Sequence, residues 1–214
     1  MNVAYNMDCM EAMQAMPDNA FDLAIVDPPY GIGVDGQKKS ISKNPKHNRK
    51  EHIKKGWDKH IPPAEYFREL RRISKNQIIW GGNYFLPHLN DAYKCWIVWY
   101  KGQQGLTMSD CELAYSTFDT PARVVTINRV KLLQEGNTIH PTQKPTALYT
   151  WILTNYAKQG DKILDTHLGS GSSRIAAYNL GFDFTGYEID TDYFAAQEER
   201  FAAHAAQQNL FLET

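Results

Sequence analysis

The sequence predicts an α/β domain of Rossmann-like type, and three observations carry the prediction. Leu23-Ala24-Ile25-Val26, opened by Phe21-Asp22, is a short apolar run of strand formers, the pattern of a strand buried on both faces of a parallel sheet. Residues 162 to 190 run in the order strand, Gly-rich turn, helix, strand, terminal acid, which is the nucleoside-binding half of a Rossmann-like fold. The length, 214 residues, suits one domain with a sizeable core.

Taken in order, Val3 to Tyr5 form a short strand, and Asp8 caps a helix whose Met10, Met13 and Met16 share one face and read as core. The strand from Leu23 stops at Asp27-Pro28-Pro29-Tyr30, because neither proline can donate to a ladder and each fixes its own φ. The product is a stiff turn at the carboxyl end of a strand, where open α/β sheets place their ligands. It offers one carboxylate, carbonyls without competing N–H groups and one aromatic face. Such a set suits an exocyclic amine on a flat ring.

Pro62 starts the next helix, with Tyr66, Phe67, Leu70 and Ile73 on one face. Gln77 to Trp80 is a strand ending in Gly81-Gly82, and Lys94 to Tyr100 is another. Cys111 to Thr117 and Ala122 to Asn128 read as an antiparallel pair near the sheet edge. Residues 129 to 143 are irregular, and Pro145 opens a helix continued by Ala147 to Lys158. Lys162-Ile163-Leu164 leads into Asp165-Thr166-His167-Leu168-Gly169-Ser170-Gly171, and the helix of Ile175 to Leu180 is stopped by Gly181. Asp183 to Tyr187 is the next strand. It ends at Glu188, spaced from the glycine turn so as to accept hydrogen bonds from ribose hydroxyls. No Gly-Lys-Ser/Thr follows that turn, which argues against a P-loop. Asp192 to Leu212 is an Ala- and Gln-rich helix that covers the sheet.

The net charge is −1, so nucleic-acid binding has to come from local clustering. Residues 34 to 60 supply it: eight lysines and Arg49 against Asp35, Glu51 and Asp58 give a local charge of +6. The stretch leaves directly from the candidate turn and reads as a long mobile loop that neutralises phosphates beside the reacting base. Its candidate contacts are Lys38, Lys39, Lys43, Lys46, Arg49, Lys54 and Lys55. The three cysteines, Cys9, Cys95 and Cys111, are scattered, which argues against a disulfide framework and a zinc site. The start of the chain reads as neither signal peptide nor membrane span, so a reduced, cytoplasmic protein is expected.

Together these residues resemble the amino-DNA methyltransferases that use S-adenosylmethionine to methylate an exocyclic base nitrogen. Asp27-Pro28-Pro29-Tyr30 matches the family's catalytic tetrapeptide and Asp165 to Gly171 its cofactor loop. His140-Pro141-Thr142-Gln143-Lys144-Pro145 looks like the entry to the cofactor half. The catalytic motif precedes the cofactor motif, the order of the circularly permuted β class. The resemblance implies a seven-stranded, mostly parallel sheet with helices on both faces and a reversed last strand, forming a single catalytic domain over residues 1 to 214. It implies that the target base is flipped out of double-stranded DNA. Asp27 and the Pro28 carbonyl would accept the two amine hydrogens, Pro29 would stiffen the turn, and Tyr30 would stack on the base. Asp8 and Cys9 would lie near the cofactor adenine and Glu188 on the ribose. Asp165, Thr166, His167, Gly169, Ser170, Gly171 and Lys144 would line the methionine portion. No metal or covalent enzyme intermediate is called for. The resemblance places the protein in the cytoplasm of a bacterial or phage-infected cell, and leaves room for a homodimer and a partner restriction endonuclease.

Three departures qualify the resemblance. Thr166 and His167 stand where the family commonly has Pro-Phe, and a charged imidazole near a sulfonium is costly, so His167 is expected to be neutral. The recognition-type insertion is short, about Asp119 to Ile139, which shifts specificity toward residues 34 to 60 or a partner subunit. Asp27 as the first motif residue favours adenine, whereas cytosine-N4 enzymes more often carry Ser. The competing readings are a cytosine-N4 enzyme, one acting on RNA adenine, a protein-glutamine methyltransferase (typically Asn in place of Asp27), and a catalytically silent DNA- or cofactor-binding subunit.

Overall fold

The computed structural model describes residues 1–36, 51–89, 94–105, 109–128, 135 and 138–212, with side chains as far as residue 208. Lys38, Lys39, Lys43, Lys46 and Arg49 lie outside the described residues. The chain runs β1 (Asn2–Asn6), α1 (Cys9–Ala15), β2 (Phe21–Val26), α2 (Ala64–Ile73), β3 (Ser74–Trp80), β4 (Trp96–Tyr100), β5 (Cys111–Ser116) and β6 (Arg123–Thr126). It continues through α3 (Thr146–Tyr156), β7 (Lys162–Asp165), α4 (Ser172–Asn179), β8 (Asp183–Glu188) and α5 (Thr191–Leu212). No helix among the described residues is long and apolar enough to cross a membrane.

One mostly parallel sheet of eight strands, in the order β1-β8-β7-β2-β3-β5-β4-β6, forms the centre. β5 alone is reversed, pairing antiparallel with β3 and with β4. The sheet thus has one strand more than the expected seven, and the reversed strand is internal rather than last. The expected pairing of residues 111–117 with 122–128 is also corrected, because β4 lies between β5 and β6 and pairs with β6 in parallel. The physical reason is burial. Ile97 and Trp99 of β4 are buried, so β4 needs cover, and the Trp99 indole donates to the Ile127 carbonyl at 2.9 Å. β6 buries Val125 and leaves Val124 exposed, which suits an edge. About half of the stretch 119–139, expected as a recognition-type insertion, is therefore sheet edge and its flanks.

The central strands bury both faces, as parallel strands under helices must. Leu23 and Ile25 of β2, with Ile78 and Trp80 of β3, point into a core completed by Leu148, Ile152 and Leu153 of α3 and Ala176 and Ala177 of α4. Ala24, Val26 and Ile79 point the other way, onto Met13 of α1 and Tyr66, Phe67 and Leu70 of α2. Asp8 caps α1 as expected, accepting the Met10 N–H at 2.8 Å. Arg72 ties α2 to α1 by donating to the Met13 and Met16 carbonyls at 2.8 Å.

Candidate active site

Because β1, β2, β3, β4, β7 and β8 run parallel, their carboxyl ends share one edge of the sheet, and reversed β5 delivers its first residues there. That edge opens into a cavity of about 1200 Å³ that reaches from Asp27 to Glu188. β2 and β7 are neighbours and chain order reverses between them, so Asp27 and Asp165 stand at the topological switch point.

The turn after β2 is held from both sides. The Tyr30 hydroxyl donates to Asp27 Oδ1 at 2.6 Å, and the ring stacks on Tyr84 with centroids 5.0 Å apart. Gly81, at φ +71°, sits against that ring, and any Cβ there would collide with it. Lys144, immediately before Pro145, donates to Asp27 Oδ2 at 2.5 Å. Its ammonium also lies 3.0 Å from Glu112 Oε2 and 3.2 Å from the Tyr30 hydroxyl. Lys101 pairs with Glu112 Oε1 at 2.7 Å, completing a cluster of two carboxylates and two ammonium groups. Burial pushes the Asp27 carboxyl up, against the pull of the Lys144 ammonium. Burial would likewise raise Glu112, yet the ammonium groups of Lys144 and Lys101 hold it at about 2. Burial alone would lower Lys144, and the carboxylates of Asp27 and Glu112 more than offset it.

At the other end, Gly169 takes φ +51° and donates its N–H to Glu188 Oε2 at 2.8 Å, while Glu188 Oε1 accepts the Asp190 N–H at 2.9 Å. The carboxylate is thereby aimed by two backbone amides. Asp165 spends its oxygens within the loop, accepting the His167 N–H at 3.0 Å and the Ser173 hydroxyl at 2.5 Å, and burial raises it to about 7. His167 shares a 2.9 Å hydrogen bond with the Thr166 hydroxyl, which bonds to the Tyr66 hydroxyl at 2.6 Å. Burial lowers His167 to about 4, so the ring is neutral at pH 7, as the sequence predicts.

Residues 51–60 close this end. Asp58 accepts the Gly31 and Val34 N–H groups, both at 2.8 Å, and Asp35 accepts those of Lys55 and Gly56. The Lys55 ammonium is held by Asp190 and Asp192 at 2.6 Å each. Trp57 packs on His140, whose ring in turn meets Tyr193 at 4.4 Å.

Of the sequence-predicted residues, Asp27, Pro28, Pro29, Tyr30, Lys144, His167, Gly169, Ser170 and Glu188 line the cavity. Asp165, Thr166 and Gly171 stand behind the wall as loop supports, Asp8 serves as the α1 cap, and burial pushes the Cys9 thiol up to about 12. Lys54 is exposed. Sequence reasoning missed Glu112, Lys101, Trp57 and Tyr193. Lys101-Gly102 at a strand end was the available signal for one of them; Glu112 carried none, being one acid inside a strand pattern.

Taken together, fold and cavity define a Rossmann-like α/β protein in which a glycine turn and a strand-end glutamate face an acidic, aromatic turn. Residues 77–199 match the N6/N4 DNA methylase family, and the chain belongs to that family: it is a DNA methyltransferase. It is 25% identical over 232 aligned residues to the type II methyltransferase M.HpaI of Haemophilus parainfluenzae, covering 90% of this chain and 72% of that one. Among solved structures, the complex of M1.HpyAVI with SAM superposes with a TM-score of 0.63 at 20% identity, over 94% of this chain and 100% of that one. The cytosine-N4-specific PvuII DNA methyltransferase superposes at 0.62 and 13% identity, over 94% and 86%.

Proposed function

We propose that the protein methylates the N6 amine of an adenine flipped from double-stranded DNA, with S-adenosylmethionine as methyl donor. The observation that carries this reading is Asp27 at the end of β2, beside the Tyr30 ring, in one cavity with the Glu188 carboxylate. A volume of about 1200 Å³ exceeds what one small ligand commonly takes, roughly 300–1,000 Å³, and suits a cofactor and a base together.

The residues present fit the cofactor. Glu188 is an ionisable acceptor for a pair of ribose hydroxyls, positioned by two amide donors. Gly169 brings backbone close, and neutral His167 adds no charge beside a sulfonium. S-adenosylmethionine supplies an electrophilic methyl carbon. Asp27 and the Pro28 carbonyl orient the amine by accepting its hydrogens, and Tyr30 offers a stacking face. The Asp27 carboxylate opposes the positive charge that grows on the nitrogen. Residues 34 to 60 contact DNA phosphates, with Lys54 on the exposed limb. The whole chain is one catalytic domain. A homodimer and a partner restriction endonuclease are further expectations.

The test is nucleoside analysis of DNA after reaction with labelled cofactor. N6-methyladenine is expected. Asp27→Ala should lower kcat roughly 10²–10³-fold, the range for losing a charge-stabilising group in an active site. N4-methylcytosine as the product would make cytosine the target instead. No product with wild-type protein that still binds cofactor would make it a binding subunit.

A further inference from the structure

The proposed reading gives Asp27 to an amine hydrogen; its Oδ1 already accepts the Tyr30 hydroxyl, and Lys144 Nζ donates to Oδ2 at 2.5 Å. That oxygen has a second lone pair, so the amine binds there with Lys144 still in place beside it. The Lys144 side chain is 3% exposed and its ammonium is held within the cluster. Its second carboxylate is Glu112 Oε2 at 3.0 Å, and Glu112 is itself fixed by Lys101 at 2.7 Å. Lys144 is therefore anchored by both carboxylates, and its third donor, on the Tyr30 hydroxyl at 3.2 Å, is the one free to turn to a base beside Asp27.

That arrangement has the complement of a particular base edge. Adenine presents the N6 amine beside the N1 acceptor; cytosine presents the N4 amine beside N3. An acceptor with a cationic donor next to it pairs with both members of such an edge. Guanine and thymine present a carbonyl beside a ring N–H, which would set oxygen against Asp27 and N–H against Lys144, leaving buried polar groups unmatched. We infer that Lys144 is a specificity-determining residue that donates to the ring nitrogen beside the target amine, and that Glu112 positions it. The inference rests on the reading of Asp27 as amine acceptor. Two carboxylates flank the ammonium, so its charge is offset where positive charge grows on the amine nitrogen.

The experiment is steady-state methylation of duplex oligonucleotides whose target adenine is replaced by 1-deazaadenine, which keeps the amine and loses the N1 acceptor. Wild-type kcat/KM should fall about 10- to 100-fold on the analogue, the size of a hydrogen bond to a charged group. Lys144→Met should be slower on adenine by a similar factor and show little further loss on 1-deazaadenine. This cycle also separates the hydrogen bond from any change in intrinsic amine reactivity, which both proteins feel alike. Because Lys144→Met leaves two buried carboxylates facing one ammonium, the double variant Glu112→Gln/Lys144→Met removes the surplus charge and should give the same flat ratio. Far-ultraviolet circular dichroism and a cooperative thermal transition confirm that each variant is folded. Wild-type protein that treats the two bases alike, or a Lys144 variant that keeps the wild-type ratio, overturns the inference. Full activity of Asp27→Ala would instead overturn the underlying reading, whatever the ratios. Should the product be N4-methylcytosine, 3-deazacytosine replaces the probe and the same ratios apply.

Discussion

Replacing Glu188 by alanine separates two jobs that one carboxylate performs. Its oxygens accept the Gly169 N–H at 2.8 Å and the Asp190 N–H at 2.9 Å, and each keeps a lone pair for a ribose hydroxyl. Two hydrogen bonds to a charged acceptor at the lower end of their range, about 1.5 kcal/mol each, make about 3 kcal/mol, or roughly a 150-fold rise in cofactor Kd. The lost backbone bonds cost about 1 kcal/mol each, which for a chain of this size lowers Tm by roughly 4–8 °C. Glu188→Gln keeps one acceptor but turns an amide nitrogen toward one of the two backbone N–H groups, so it should recover little affinity. Isothermal titration with S-adenosylmethionine measures the first quantity and thermal unfolding the second. With saturating cofactor, kcat should stay within a few-fold, because Glu188 stands at the far end of the cavity from Asp27. Unchanged cofactor affinity would remove Glu188 from the subsite. A fall in Tm with unchanged affinity would reduce it to a loop support.

Other perturbations probe the remaining parts. Gly81→Ala drives a Cβ into the Tyr30 ring, so activity should drop severely while cofactor affinity is kept; normal turnover would mean the ring is free to move. Neutralising Lys38, Lys39, Lys43 and Lys46 should flatten the salt dependence of DNA binding, by up to about 0.9 in log–log slope for each phosphate left without its cation. Lys55→Ala should flatten it less than the others, because its ammonium is already engaged by Asp190 and Asp192; an equal effect would mean that phosphate draws it off those carboxylates. His167 ionises at about 4 in the fold against an ordinary 6.5, so its contribution to stability is complete above about 6.5 and is lost as the pH falls toward 4. His140, held at about 3, has the same sign, whereas Asp165, raised to about 7, has the opposite one between about 4 and 7. The difference between wild type and His167→Asn in urea unfolding isolates His167. It should shrink as the pH falls below 6, by up to about 1.4 kcal/mol per unit; a pH-independent difference would place the ring in solvent.

Legibility in the sequence followed the range of the forces. The Asp27 turn could be read because its cause is local: apolar residues make the strand and two prolines end it. The same holds for Asp8 as cap, for the glycine turn before α4, and for Glu188 at the end of β8. Lys144 carried a local signal in its motif, yet its ammonium sits 117 positions away in sequence, on Asp27, a pairing that no periodicity encodes. The order of β4, β5 and β6 was equally hidden. Short links between strands favour a hairpin, and only the need to cover Ile97 and Trp99 puts β4 inside. That tertiary choice decides the chemistry. A parallel strand between β3 and β4 would bring its last residue to the catalytic edge and carry its first to the opposite end of the sheet. Reversed, β5 delivers Cys111 and Glu112 to the edge where β2 ends at Asp27 and β4 at Lys101, so two charged pairs meet at one point. Glu112 therefore serves the site only because its strand runs back along β4 and is inserted beside β3, and that insertion is a tertiary choice that no pattern around Glu112 encodes.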